Sequence, residues 1–322
     1  MRRALLVLLV LLTPGTAEAA TVGREGSELV YRSAPGQEDL VAGEREEDEL
    51  VLGGIDGADT DLQAGAGCTL DRGIVSCALD GLTAVRVLGG DGDDLIAIYD
   101  PRIPVVVDLG PGNDEFDGLA PSVTVDAGDG SDRVSVIAST GTIDLGLGED
   151  HADAQFSKGV GRFAVEGGEG RDTIAVRGTS KTGISLSGGS GDDEIRVQTA
   201  PRGAGIDIAC GPGNDSTWLR LADRPGDGCA AHVTLPDPRT VSRRLSATLT
   251  APATGSVKFH RGGSLLARGP FSAPAGPLRL RLKTTDAGRR ALRRDPDPKL
   301  IVTVNTRTGG DTSEISFQSR LK

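Results

Sequence analysis

The stretch Gly89-Gly90-Asp91-Gly92-Asp93-Asp94-Leu95-Ile96 sets two glycines and an aspartate at alternate positions and then resumes an apolar run. Read outward, the same Gly-x-Gly-x-Asp pattern recurs six more times. The copies are Gly110-Pro111-Gly112-Asn113-Asp114, Gly128-Asp129-Gly130-Ser131-Asp132 and Gly146-Leu147-Gly148-Glu149-Asp150. They continue as Gly168-Glu169-Gly170-Arg171-Asp172, Gly189-Ser190-Gly191-Asp192-Asp193 and Gly211-Pro212-Gly213-Asn214-Asp215. The first glycines step by 20, 18, 18, 22, 21 and 22 residues. A motif at near-constant spacing marks a chain built by stacking one unit on the next.

The flanks repeat with the turns. Three residues before each first glycine stand Val87, Val107, Val125, Ile143, Val165, Leu186 and Ile208, and six residues after it Ile96, Phe116, Val134, Ala152, Ile174, Ile195 and Thr217. Five residues before it stand Val85, Val105, Val123, Gly141, Phe163, Ile184 and Ile206. Apolar positions two apart on either side of a glycine turn predict strand, turn, strand, with alternate side chains inward. Stacking these units aligns aliphatic columns into a narrow core. The expectation is an all-β chain, a parallel β-roll or β-solenoid of about seven coils. The columns thin at the fourth copy, where Gly141 and Ala152 replace larger side chains.

Composition agrees. Of 322 residues 47 are Gly and only nine are aromatic, so pockets walled by aromatic rings are disfavoured. The formal net charge of −11 argues against a nucleic-acid backbone as partner. Residues 233–322 hold 17 Lys and Arg against 6 Asp and Glu, or +11, which leaves −22 for residues 1–232. Such asymmetry predicts two units in different ionic surroundings.

Arg2 and Arg3, the apolar run Ala4 to Leu12 and the triplet Ala17-Glu18-Ala19 form the pattern of a secretory signal peptide over 1–19, which predicts a secreted protein without a membrane span. In an oxidising compartment the four cysteines predict two local disulfides, Cys68–Cys77 and Cys210–Cys229, with free thiols as the alternative. No C-x-x-C spacing is present.

Closely spaced glycines let a turn adopt positive φ and present carbonyl oxygens, to which the aspartate adds a carboxylate. Calcium takes six to eight such hard oxygens at flexible angles. The segments Gly89 to Ile96 and Gly188 to Ile195 resemble the haemolysin-type (RTX) calcium-binding nonapeptide, G-G-x-G-x-D-x-U-x. The resemblance spans about residues 85–219, and Tyr31 to Gly36 with Ala64 to Cys68 is similar to N-terminal regions of secreted actinobacterial proteins carrying these repeats. It implies calcium (Ca2+) between stacked turns. The implied sites use turn carbonyls around Gly90, Gly92, Gly110, Gly112, Gly128, Gly130, Gly146, Gly148, Gly168, Gly170, Gly189, Gly191, Gly211 and Gly213. The carboxylates would come from Asp94, Asp114, Asp132, Asp150, Asp172, Asp193 and Asp215. Two departures stand out. The motif recurs once per 18–22 residues rather than every nine, so one edge alone carries it, and Arg171 sits inside the fifth turn.

The domains expected are the signal peptide 1–19, an N-terminal β cap over 20–84 with Cys68 and Cys77, and the solenoid over 85–232, closed by Cys210 and Cys229. A basic, immunoglobulin-like β-sandwich follows over 233–322. Strand-like runs 245–250, 278–282 and 300–304 and a short helical crossing at Asp286 to Leu292 support the last unit. His151, His232 and His260 form no zinc-protease motif, and neither a G-x-S-x-G elbow nor a P-loop is present. Glu149 to Asp153 contains a candidate metal cluster around His151, and Asp108, Asp126, Asp144 and Glu166 form an acidic column. Regular recurrence favours a structural ladder over a catalytic site. The reading is a secreted, non-enzymatic calcium-binding repeat protein with a structural or cell-surface role, whose basic domain contacts a cell-wall or extracellular polymer. The alternatives are a β-helical polysaccharide lyase or epimerase and an adhesin.

Overall fold

The computed structural model describes residues 19–321 apart from 56–60, 157–160, 179–182, 200–205, 220–222, 227, 231–232, 235–238 and 296–297. The expected signal peptide lies outside the described residues, except for its last position. Among the described residues no helix is long and apolar enough to cross a membrane.

The repeats form a parallel β-solenoid. Strands preceding the turns stack into a first sheet: Ala84–Leu88, Val105–Asp108, Ser122–Asp126, Thr140–Asp144, Phe163–Glu166, Ile184–Ser187 and Asp207–Ala209. Strands following the turns stack into a second: Leu95–Tyr99, Glu115–Leu119, Arg133–Ala138, His151–Phe156, Thr173–Gly178, Glu194–Thr199 and Ser216–Leu219. Equivalent residues pair in register from coil to coil, as in Val107 with Val125 and Phe116 with Val134. The columns predicted to point inward are buried at every position except Gly141, and their apolar side chains form one continuous core.

The thin fourth copy has a steric cause. A Cβ on Gly141 would lie 2.3 Å from Val123 O and 3.0 Å from the Phe163 ring, so Gly141 makes room for the aromatic side chain of the next coil. Phe163 meets Phe156 edge-on, with centroids 5.0 Å apart.

The stack also takes in Glu28–Arg32 and Leu40–Glu46, which pair parallel with Ala84–Leu88 and Leu95–Tyr99. Thr21–Glu25 runs antiparallel to Glu28–Arg32 and continues the first sheet beyond it. Glu49–Gly54, Cys68–Asp71 and Ile74–Ala78 form an antiparallel extension of the second sheet. Cys68 and Cys77 are direct cross-strand neighbours joined by a disulfide, and Cys210 is joined to Cys229.

At the other end Ser216–Leu219 pairs parallel with Asp311–Leu321, so the second sheet runs on into the C-terminal unit. There Ala253–Arg261, Ser264–Ala273, Lys299–Thr308 and Asp311–Leu321 form antiparallel pairs. A separate core of Leu245, Leu249, Phe259, Leu278 and Val302 lies between them and a three-stranded sheet of Val233–Thr234, Arg244–Leu249 and Gly276–Arg281. The helix Asp286–Arg294 begins at Thr285, whose hydroxyl accepts from Gly288 N at 2.9 Å. Gly288 brings the helix close to the Leu266 carbonyl, which a Cβ would meet at 2.0 Å.

Coil stacking imposes the turn glycines. A Cβ on Gly130, whose φ is +148°, would lie 1.5 Å from the Gly112 carbonyl oxygen. Gly26 has a φ of +62° and open space around it. Gly26→Ala is therefore expected to cost about 1–2 kcal/mol from backbone conformation alone. Gly130→Ala must also separate two coils and should cost clearly more, a difference that urea denaturation of the two variants measures.

Candidate functional site: an aspartate ladder along the turn edge

The final aspartate of each repeat folds back under its own turn. Asp94, Asp114, Asp132, Asp150, Asp172, Asp193 and Asp215 are 0–3 % exposed, although aspartate is normally a surface residue. One carboxylate oxygen has a fixed task in every coil. Asp114 Oδ1 accepts from Asp94 N at 2.8 Å, Asp132 Oδ1 from Asp114 N at 2.8 Å and Asp150 Oδ1 from Asp132 N at 2.7 Å. The series continues with Asp172, Asp193 and Asp215, each accepting from the aspartate of the coil before it. Each side chain thereby satisfies a buried backbone N–H that the bend has removed from the sheet ladder.

The ladder extends past the repeats. Asp39 N donates to Asp94 Oδ1 at 2.7 Å, and the Tyr31 hydroxyl donates to Asp39 Oδ2 at 2.5 Å. At the far end Asp215 N donates to Asp311 Oδ1 at 3.2 Å. The sequence reading missed both members. Asp39 closes a turn that has lost its glycine pair, and its remaining signal is Val41 two residues on, matching Ile96 after Asp94. Asp311 follows Gly309-Gly310 but lies 96 residues beyond Asp215.

A second ladder runs on the exposed side of the turns. Asn113 N donates to Asp93 Oδ1 at 2.7 Å, Ser131 N to Asn113 Oδ1 at 3.0 Å and Asn214 N to Asp192 Oδ1 at 2.8 Å. The turn carbonyls also bond between coils. Gly112 N donates to Asp129 O at 2.9 Å, and Leu147 N to Gly128 O at 2.9 Å.

The other carboxylate oxygen differs. Oδ2 of all seven repeat aspartates is buried and has no hydrogen-bond partner. A desolvated, unpaired anion is costly, so burial is the leading cause pushing these groups upward. Asp94 and Asp132 rise to about 7, Asp150, Asp172, Asp193 and Asp215 to about 6, and Asp114 also rises. Neighbouring carboxylates add to the rise at Asp132 and Asp193.

The donor set fits calcium in kind: hard carboxylate oxygens lacking a partner, beside main-chain carbonyls that retain a second lone pair. Among the described residues no three His, Cys, Asp or Glu side chains gather around one point, so carbonyls would supply much of any cage. Arg171 is exposed; hydrogen bonds from Asn214 hold the Asp192 carboxyl low, and the Arg171 charge adds to that effect.

The remaining candidates are dispersed. His151 is half-buried between Arg133 and Thr173, and burial lowers its pKa. Asp153 pairs with Arg177. Asp108, Asp126, Asp144 and Glu166 stand side by side in register on the exposed face of the first sheet. His260 lies in the C-terminal unit, and His232 lies outside the described residues.

Two outcomes follow. Carboxyls raised above their unfolded value near 4 favour folding when protonated, fully so below that value, and lose the contribution as pH rises through 6 to 7. With chelator present, the melting temperature of the solenoid should therefore be higher at pH 5 than at pH 8. Asp132→Ala leaves Asp114 N–H buried without an acceptor and should cost about 1–3 kcal/mol. Asp132→Asn keeps an Oδ1 acceptor, removes the charge and should cost less at pH 8, as thermal denaturation would register.

No protein-family model, no curated protein and no solved structure matches this chain.

Proposed function

We propose that the chain is a secreted calcium-binding repeat protein with a structural or cell-surface role, and that it is not an enzyme. The observation that carries this reading is the column of seven buried Oδ2 atoms without partners, one per coil, along a single edge of the solenoid. Asp94, Asp114, Asp132, Asp150, Asp172, Asp193 and Asp215, with carbonyls of the turn glycines, would hold the ion, which supplies positive charge between like-charged carboxylates. The protein's own contribution is orientation. Hydrogen bonds through Oδ1 fix every carboxylate, and the stacked turns keep water from Oδ2.

Several features support the reading. The resemblance of the turns to the haemolysin-type nonapeptide agrees with the donor chemistry. Two disulfides and a signal-peptide pattern fit an extracellular setting, where weak sites with dissociation constants of ~10⁻⁴–10⁻³ M would still fill. The acidic groups recur evenly along the edge, whereas a catalytic site calls for a local break in the repeat. The charge of the basic C-terminal unit suits contact with an acidic extracellular polymer.

Calcium added after chelation at pH 7.5 should raise the melting temperature and change the circular dichroism spectrum, and magnesium should do so less. Asp132→Asn should weaken the calcium response, whereas Asp286→Ala, in the helix of the C-terminal unit, should leave it unchanged. An unaltered spectrum and melting temperature at millimolar calcium would leave the buried carboxyls as proton-holding structural groups and remove the metal from the account.

A further inference from the structure

The chain contains one tryptophan, and it stands on a polar sheet face where the solenoid meets the C-terminal unit. Trp218 is 40 % exposed, an unusual setting for the largest apolar side chain in a protein with so few aromatic rings. The second sheet crosses the junction without a break. Arg196, Trp218, Glu314, Asn305 and Ser256 lie on five consecutive strands as register partners. Trp218 is thus flanked by a solenoid arginine on one side and by carboxylate and amide groups of the C-terminal unit on the other.

The arginine defines which ring face is available. The Arg196 guanidinium carbon lies 5.3 Å from the indole centroid, a cation–π contact that steadies the ring. On the Glu314 side a cavity of ≈380 Å³ opens, walled by Trp218, Glu314, Asn305, Arg307, Thr254 and Ser256, and Arg196 is not part of that wall. Its volume falls in the range of small-molecule sites. Asn305 Nδ2 donates to Glu314 Oε2 at 2.7 Å, which fixes the amide and the carboxylate relative to each other.

From this arrangement we infer that the cavity binds a pyranose ring of an extracellular oligosaccharide. A sugar ring has an apolar C–H face and a rim of hydroxyls that both donate and accept. The open indole face matches the first. Around it the Glu314 carboxylate accepts, the Arg307 guanidinium donates, and the Thr254 and Ser256 hydroxyls do both. Glu314 and Arg307 offset each other in charge, so the wall favours a hydroxyl-rich ligand over a strongly ionic one. The site needs strands from both units, because Trp218 belongs to the last solenoid coil and every other wall group named here to the C-terminal unit. It contains no member of the aspartate ladder, and its ligand requires no metal.

The sole tryptophan makes the test direct, since indole emission reports this site alone. The full chain, in chelator and in parallel in millimolar calcium, is titrated with the uncharged hexasaccharides cellohexaose, chitohexaose and mannohexaose and, as a flat non-sugar competitor, AMP. A saturable change in Trp218 emission with at least one of the hexasaccharides and none with AMP is expected. By calorimetry Trp218→Ala should weaken that binding at least ~10-fold, as for a central aromatic anchor. Trp218→Phe should retain most of it, and Glu314→Gln should weaken it with the ring still in place. Circular dichroism of each variant checks folding. Unchanged emission with all three hexasaccharides, a response to AMP alone, or sugar binding unaffected by Trp218→Ala would each overturn the inference. Because the titration is run both with and without calcium, loss of sugar binding in both conditions is separate from a failure of the calcium reading.

Discussion

Parallel strands in adjacent coils are held about 4.8 Å apart by their hydrogen bonds, and the turns must close within the same rise. That spacing leaves no room for a Cβ at the repeat-turn glycines from Gly92 to Gly213 and strands one backbone N–H per bend. The repeat answers both demands, with glycine where the neighbouring carbonyl approaches and aspartate where the N–H needs an acceptor. The carboxylate is therefore first a structural group. Whatever it does with cations or protons is done by its second oxygen, the atom that coil closure does not use.

This division of labour also explains the aliphatic core. Two short sheets facing each other across a narrow gap bury alternate residues of each strand in every coil, and Val, Ile and Leu fill that width. An aromatic ring fits only where a neighbour shrinks, as Phe163 does against Gly141 and Phe116 against Gly118. Few aromatics are thus a consequence of coil width.

The solenoid could be read from the chain because its signal is repeated and local: Val87, Val107 and Val125 occupy equivalent positions within short windows and become register partners. The disulfides were legible for the same reason, each closing a short loop. Repetition singled out the turn aspartates but not their hydrogen bonds to the preceding coil, because the acceptor task depends on the depth at which the side chain is buried, and periodicity carries no depth. Asp39 was missed because its turn has lost the glycine pair, and Asp311 because it lies 96 residues beyond Asp215, outside the period of the repeat. The pairing of Ser216–Leu219 with the final strand was beyond sequence pattern, since it joins segments almost a hundred residues apart that share no repeat.

That last pairing has a consequence for how the molecule assembles in time. A solenoid whose coils touch only their neighbours can nucleate early and zip forward as chain is supplied. Its terminal coil nevertheless presents open strand edges, the template on which one chain recruits another. The strand that covers this edge, with Asp311 as its acceptor, is made 96 residues after the Asp215 turn that it seals. Every nascent molecule therefore passes through an interval in which the stack is ordered but unsealed. The local bond between Cys210 and Cys229 lies at that end, where it can secure the final coil before the seal arrives.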